Sequence, residues 1–168
     1  MKRTLLAVAL LAALPVFAAD QIDKKDREFM EKAAAGGMME VEVGKLAQAK
    51  GQNADVKGFG ETLVKDHSAA NDELKALAQK KGVQLPASMP AKQQKMVDKL
   101  AKAKNFDKEF IHEVGLEDHK HDIKDFEKAS KGAKDPDVKA FAAKTLPTLQ
   151  SHLQRAQEID KAMKGKKG

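Results

Sequence analysis

Four polar side chains interrupt otherwise apolar helical stripes: Glu40, His67, His119 and His152. The clearest case is the run Val56, Phe59, Leu63, His67, Ala70, Leu74, Leu77, whose steps of three and four residues mark one helix face. His67 stands there in place of a leucine. His119 shares a stripe with Leu116, Ile123 and Phe126, and His152 with Leu149, Ala156 and Ile159. Glu40 lies on the stripe Phe29, Ala33, Gly36/Gly37, Val43/Gly44, Ala47. Three imidazoles and one carboxylate are a donor set suited to one transition metal ion, Zn²⁺, Cu²⁺ or Fe²⁺. Asp66 and Asp118 each precede a histidine, but adjacent residues on a helix do not share a face. They would act instead as outer hydrogen-bond acceptors for a histidine of a neighbouring helix. The alternative is that each polar residue is a core group bonded to an adjacent helix and serving only to fix helix register.

Four helices must carry these residues. The first is expected from about Asp23 to Lys50, with Asp23 as N-cap, Asp26 completing a weak capping box and Gly51 as a left-handed stop. The second starts at the N-cap Asn53 and ends before Gly82. A crossover stiffened by Pro86 and Pro90 follows, with a short helix, Ala91 to Ala103, capped by Ser88. The third helix opens at Asn105 or Asp107 and ends at Gly132. Asp135-Pro136 starts the fourth, which runs to about Met163 and contains Pro147, a source of a kink or curvature before His152. Gly36 and Gly37 read as a place of close backbone approach or as tight helix packing.

Two segments recur. Asp26-Arg27-Glu28-Phe29-Met30 returns as Asp107-Lys108-Glu109-Phe110-Ile111, and Asp55-Val56-Lys57-Gly58-Phe59 as Asp137-Val138-Lys139-Ala140-Phe141. A helical hairpin is therefore present twice. Two hairpins joined by a long crossover with a short extra helix give an all-α, ferritin-like four-helix bundle. Counting from the two hairpin turns, the polar residues within each hairpin differ in height by roughly 4 to 8 Å, at about 1.5 Å per residue. All four therefore come within reach of one central layer. His112 is on the same stripe as His119 but about 10 Å away along the helix, too far to share a mononuclear site. His121 faces away and is expected at the surface.

Gly36-Gly37-Met38-Met39-Glu40-Val41, Asp66-His67-Ser68-Ala69-Ala70-Asn71, Lys81-Gly82-Val83-Gln84-Leu85-Pro86, Asp118-His119 and Thr145-Leu146-Pro147-Thr148-Leu149-Gln150-Ser151-His152 occur in this order. In these five motifs the chain resembles a bacterial family of exported ferritin-like proteins, known as a domain of unknown function and often labelled outer membrane protein. The resemblance spans about Asp26 to Ile159. It implies the fold and export, and no activity. An outer membrane barrel does not fit, since the alternating pattern of barrel strands is missing.

Di-iron chemistry of the ferritin type needs Glu-x-x-His pairs, whereas Val64, Leu116 and Leu149 stand three residues before the histidines. Ser68 adjoins His67 but points about 100° round the helix, so the two do not form a nucleophile–base pair. The expectation is a non-enzymatic protein.

The chain opens Met1-Lys2-Arg3, runs apolar from Thr4 to Val16 and offers Val16 and Ala18 to a signal peptidase. Residues 1–18 read as a signal peptide, too short for a membrane span. Residues 19–168 then form one domain with a basic C-terminal tail, exported to the periplasm. Loss of Lys2 and Arg3 lowers the net charge from +6 to +4. With no cysteine, the mature domain has neither disulfides nor thiolate ligands. The lack of Trp and Tyr and of a basic cluster outside Lys161 to Lys167 argues against nucleic-acid binding. That tail is expected to be a frayed end with at most weak attraction to anionic lipid. The function expected is metal handling or stress tolerance in the envelope. The alternative is a structural or protein-interaction module.

Overall fold

The computed structural model describes residues 22–165; the expected signal peptide, 1–18, and Lys166 and Lys167 of the tail lie outside the described residues. Every regular element among the described residues is helical. Helix α1 spans Lys24–Lys50, with the Asp23 side chain accepting from the Lys25 amide at 2.9 Å. Helix α2 spans Ala54–Lys81, capped by Asn53 and stopped by Gly82, whose φ of 65° is left-handed. After the crossover come α3, Ala91–Ala101, and α4, Phe106–Phe110. The chain then continues without a break through a π-helical segment, Ile111–Asp118, into α5, His119–Gly132. Helix α6, Pro136–Gly165, continues through Pro147. No helix among the described residues is long and apolar enough to cross a membrane.

Several local expectations are corrected. Gly51 is extended (φ −56°, ψ 138°), not left-handed, and the turn after it is held from outside. The Asp107 carboxylate accepts from the Gln52 and Asn53 amides at 3.0 and 2.8 Å. Asp26 does not complete a capping box. It is buried and accepts from the Asp135 amide at 2.7 Å. Asp26 and Asp107 are counterparts in the internal repeat, so the leading aspartate of each half ties down the hairpin turn of the other. Ser88 does not cap α3, whose N-cap is Pro90 and which has no side-chain cap. The third long helix is not uniformly α, and its π segment turns His112 out to solvent rather than onto the buried stripe. The C-terminal end is helical as far as Gly165 rather than frayed, with Lys164 paired to Asp160 at 2.6 Å.

Helices α1 and α2 pack along each other, as do α5 and α6 with the π segment against α6, and the halves join mainly through α2 and α6, with α1 against α4 and α5. At the α1–α2 crossing, a Cβ on Gly44 would lie 2.7 Å from the Gly60 carbonyl oxygen, so only glycine permits this approach. The apolar core is in two parts. One contains Val43, Phe59, Leu63, Phe110, Val114 and Ile159, and the other Met30, Leu74, Phe126, Phe141 and Leu149. In three of the four long helices the break between them falls at the histidine, between Leu63 and Leu74, Val114 and Phe126, and Ala156 and Leu149, and in α1 it falls between Ala34 and Met39, just before Glu40. A polar layer thus crosses the middle of a hydrophobic bundle.

Candidate metal centre

The polar layer has two parts. In the first, α2 supplies His67, the start of α5 His119, and α6 His152. All three are buried, at 7 %, 0 % and 3 % exposure, and each offers a ring nitrogen within 4.8 Å of the others. Their ring centroids lie 5.2 to 5.8 Å apart, and Phe59 closes one side, 6.2 Å from His119 and 6.1 Å from His152.

The hydrogen bonds assign the protons. His119 Nδ1 lies 2.9 Å from the Val114 carbonyl oxygen, which can only accept, so Nδ1 carries the proton and Nε2 presents a lone pair. The π register makes this contact. It places the carbonyl five residues back beside the ring, and Val114 O also receives the His119 backbone N–H. His152 Nε2 lies 3.0 Å from Asp66 Oδ2, the outer acceptor role expected of Asp66. A neutral His152 that donates there has its lone pair on Nδ1, and this atom faces His119 Nε2 at 3.2 Å. His67 Nε2 is buried and has no hydrogen-bond partner. Burial lowers the pKa of His67 well below the usual value, helped by His119 and His152. Burial also lowers His119 to about 4, and it lowers His152 against the opposing pull of Asp66. The three rings are therefore neutral at pH 7 and turn basic nitrogens toward one another.

Glu40 is not among them. It belongs to a second group with Asp118 and Asp122, whose carboxylate oxygens lie within 4.8 Å of one another. Glu40 Oε1 approaches His119 Nδ1 at 3.5 Å, but that N–H is already given to Val114 O. Asp118 accordingly lies beside carboxylates, where a histidine of a neighbouring helix was expected. Asp122 was missed by the sequence reading. Its signal was its spacing, four residues after Asp118 and three after His119 on one helical face. His121 is exposed, as expected.

A surface groove of about 260 Å³, lined by Asp66, His67, Thr145, Thr148 and His152 and edged by the Lys144–Glu73 pair, leads to the histidines. A smaller cavity of about 20 Å³ touches His67, Asn71 and Asp122. Asn71 crosses α1 at Gly37, where a Cβ would fall 2.0 Å from its Oδ1. Gly37 thus marks close approach by a side chain, while Gly44 and Gly60 supply the close backbone packing.

The model of a family described as Domain of unknown function (DUF4142) matches residues 11–159. Among solved structures, CopM in the Cu(I)-bound form is similar with a TM-score of 0.70 and 17 % identity, over 82 % of this chain and 96 % of that one. CopM in the Cu(II)-bound form gives 0.71 and 17 %, over 82 % and 97 %. At this identity the likeness shows the all-helical fold. No curated protein sequence matches the chain.

Proposed function

We propose, for a chain that belongs to the DUF4142 family of domains of unknown function, that it binds one copper ion through His67, His119 and His152. One observation carries the reading. Two of the rings spend their outer N–H on Val114 O and Asp66, which forces their other nitrogens to face each other as lone pairs at 3.2 Å. Facing lone pairs repel unless a proton or a metal ion lies between them. A metal held at about 2.0 Å by three imidazoles sets its donor nitrogens about 3.3 to 3.5 Å apart, close to that spacing. Oriented outer acceptors are also how ligating histidines are normally held.

The donors are neutral imidazoles with no carboxylate among them, which suits copper in either oxidation state, and copper leads the affinity order of first-row divalent ions. The copper bound in both CopM structures points the same way. With residues 1–18 read as an export signal, and hairpin–crossover–hairpin read as a ferritin-like four-helix bundle, the role is copper handling in the periplasm. It is one of binding rather than catalysis. The groove beside Asp66 and Thr148 gives the ion a path to the rings.

The competing reading, that the histidines only fix helix register, draws on the same hydrogen bonds but leaves the orphaned His67 nitrogen unexplained. Elemental mass spectrometry of the untagged chain purified from the periplasm, beside His67→Ala, decides between them. About one copper per chain, lost in the variant while helical content holds, supports the proposal. No metal in either protein, with melting unchanged by chelator, overturns it in favour of the register reading.

A further inference from the structure

We infer that Glu40, Asp118 and Asp122 form a second cation site, distinct from the histidine centre, for a hard divalent ion such as Mn²⁺ or Ca²⁺. Glu40 is fully buried, at 0 % exposure, and no N–H donor of the protein reaches its carboxylate oxygens, whose one side-chain partner is the Asp118 carboxyl. Buried carboxylates are normally compensated by donors or by a cation, because an unpaired charge is poorly tolerated away from water. Here the surroundings do the reverse. Asp118 and Asp122, four residues apart on one face, bring two more carboxylates within 4.8 Å. Among the described residues, no Lys or Arg pairs with any of the three. Lys92 and His121 act on Asp118 only through space, and His119, which touches Glu40, gives its N–H to Val114 O.

The chemistry of the donors selects the ion. Three anionic oxygens match hard cations and match Cu(I) poorly. Adjacent oxygens round such an ion lie about 3.0 to 3.7 Å apart and opposed ones about 4.2 to 5.2 Å at metal–oxygen distances of about 2.1 to 2.6 Å, so three oxygens within 4.8 Å of one another can share it. The small cavity beside Asp122 and Asn71 is large enough for one coordinating water, of the kind these ions retain.

The test is a Mn²⁺ titration of the untagged mature chain, followed by electron paramagnetic resonance of the free ion, with Ca²⁺ as competitor. About one Mn²⁺ per chain is expected, displaced by Ca²⁺ and weakened at least about tenfold in both Glu40→Gln and Asp122→Asn. Copper content measured on the same samples should stay at the parent level, and His67→Ala should lose copper while keeping Mn²⁺. Circular dichroism checks the fold, and Asp122→Asn decides if Glu40→Gln unfolds. A parent chain that takes up no Mn²⁺ at millimolar concentration, or variants that bind it as well as the parent, overturns the inference whatever the copper result.

Discussion

The two halves of the polar layer lie on either edge of one imidazole. On the Nε2 edge of His119, three neutral nitrogens converge, each outer N–H of His119 and His152 given to an oxygen. On its Nδ1 edge, three carboxylates converge and Glu40 receives no N–H donor. Burial acts on both groups in opposite senses, lowering the histidines and raising the acids. Desolvation disfavours whichever form is charged, so the same environment makes one side a neutral imidazole set and the other a reluctant anionic one. The bundle thus places two donor groups of different chemistry about one ring.

Removing the shared ring should break both sides at once. His119→Ala is expected to abolish copper binding and to cost about 3 kcal/mol of stability, as for other large buried rings cut to alanine. Elemental analysis and urea unfolding check this, and a variant retaining copper would refute the central place given to His119.

A smaller effect separates the sides by pH. Asp122, raised from 3.8 to about 8, stays protonated in the fold while it ionises in the unfolded chain, so it lowers stability as pH rises from about 4 to about 8. His119, lowered from 6.5 to about 4, stays neutral in the fold while it protonates in the unfolded chain, so it lowers stability as pH falls from about 6.5 to about 4. Urea midpoints of the metal-free parent should decline between pH 6.5 and 8. The paired variant Glu40→Gln with Asp122→Asn should lose that decline and keep the acid limb. A decline that survives in the paired variant would place its origin outside the carboxylates.

The smallest effect tests the orientation of one ring. Asp66→Asn leaves His152 without its anionic acceptor, and copper affinity should fall about tenfold with little change in melting, read by competition with a chelator. Unchanged affinity would mean that Asp66 does not hold the His152 tautomer.

The repeat was legible because it rests on local patterns. Asp26 and Asp107 stand out as paired in the sequence, yet their work as cross-hairpin ties involves Asp135 and Asn53, 109 and 54 residues away. Gly82 was readable as a helix stop because its left-handed φ is a local demand, whereas Gly51 was misread because a distant carboxylate holds that turn. His67, His119 and His152 were found as polar breaks in apolar stripes. Their separation from Glu40 was not, because an α-helical register was assumed where Ile111–Asp118 is π.

Sequence by itself determined that the chain is helical, that its hairpin is doubled, and that four polar groups face inward, since periodicity and caps are properties of neighbouring residues. Only the tertiary structure decided which of those groups share a site. The extra residue per turn in the π segment brings the Val114 carbonyl beside the His119 ring. That one hydrogen bond sets the tautomer that turns Nε2 to the histidines, while Glu40 is left with Asp118 and Asp122.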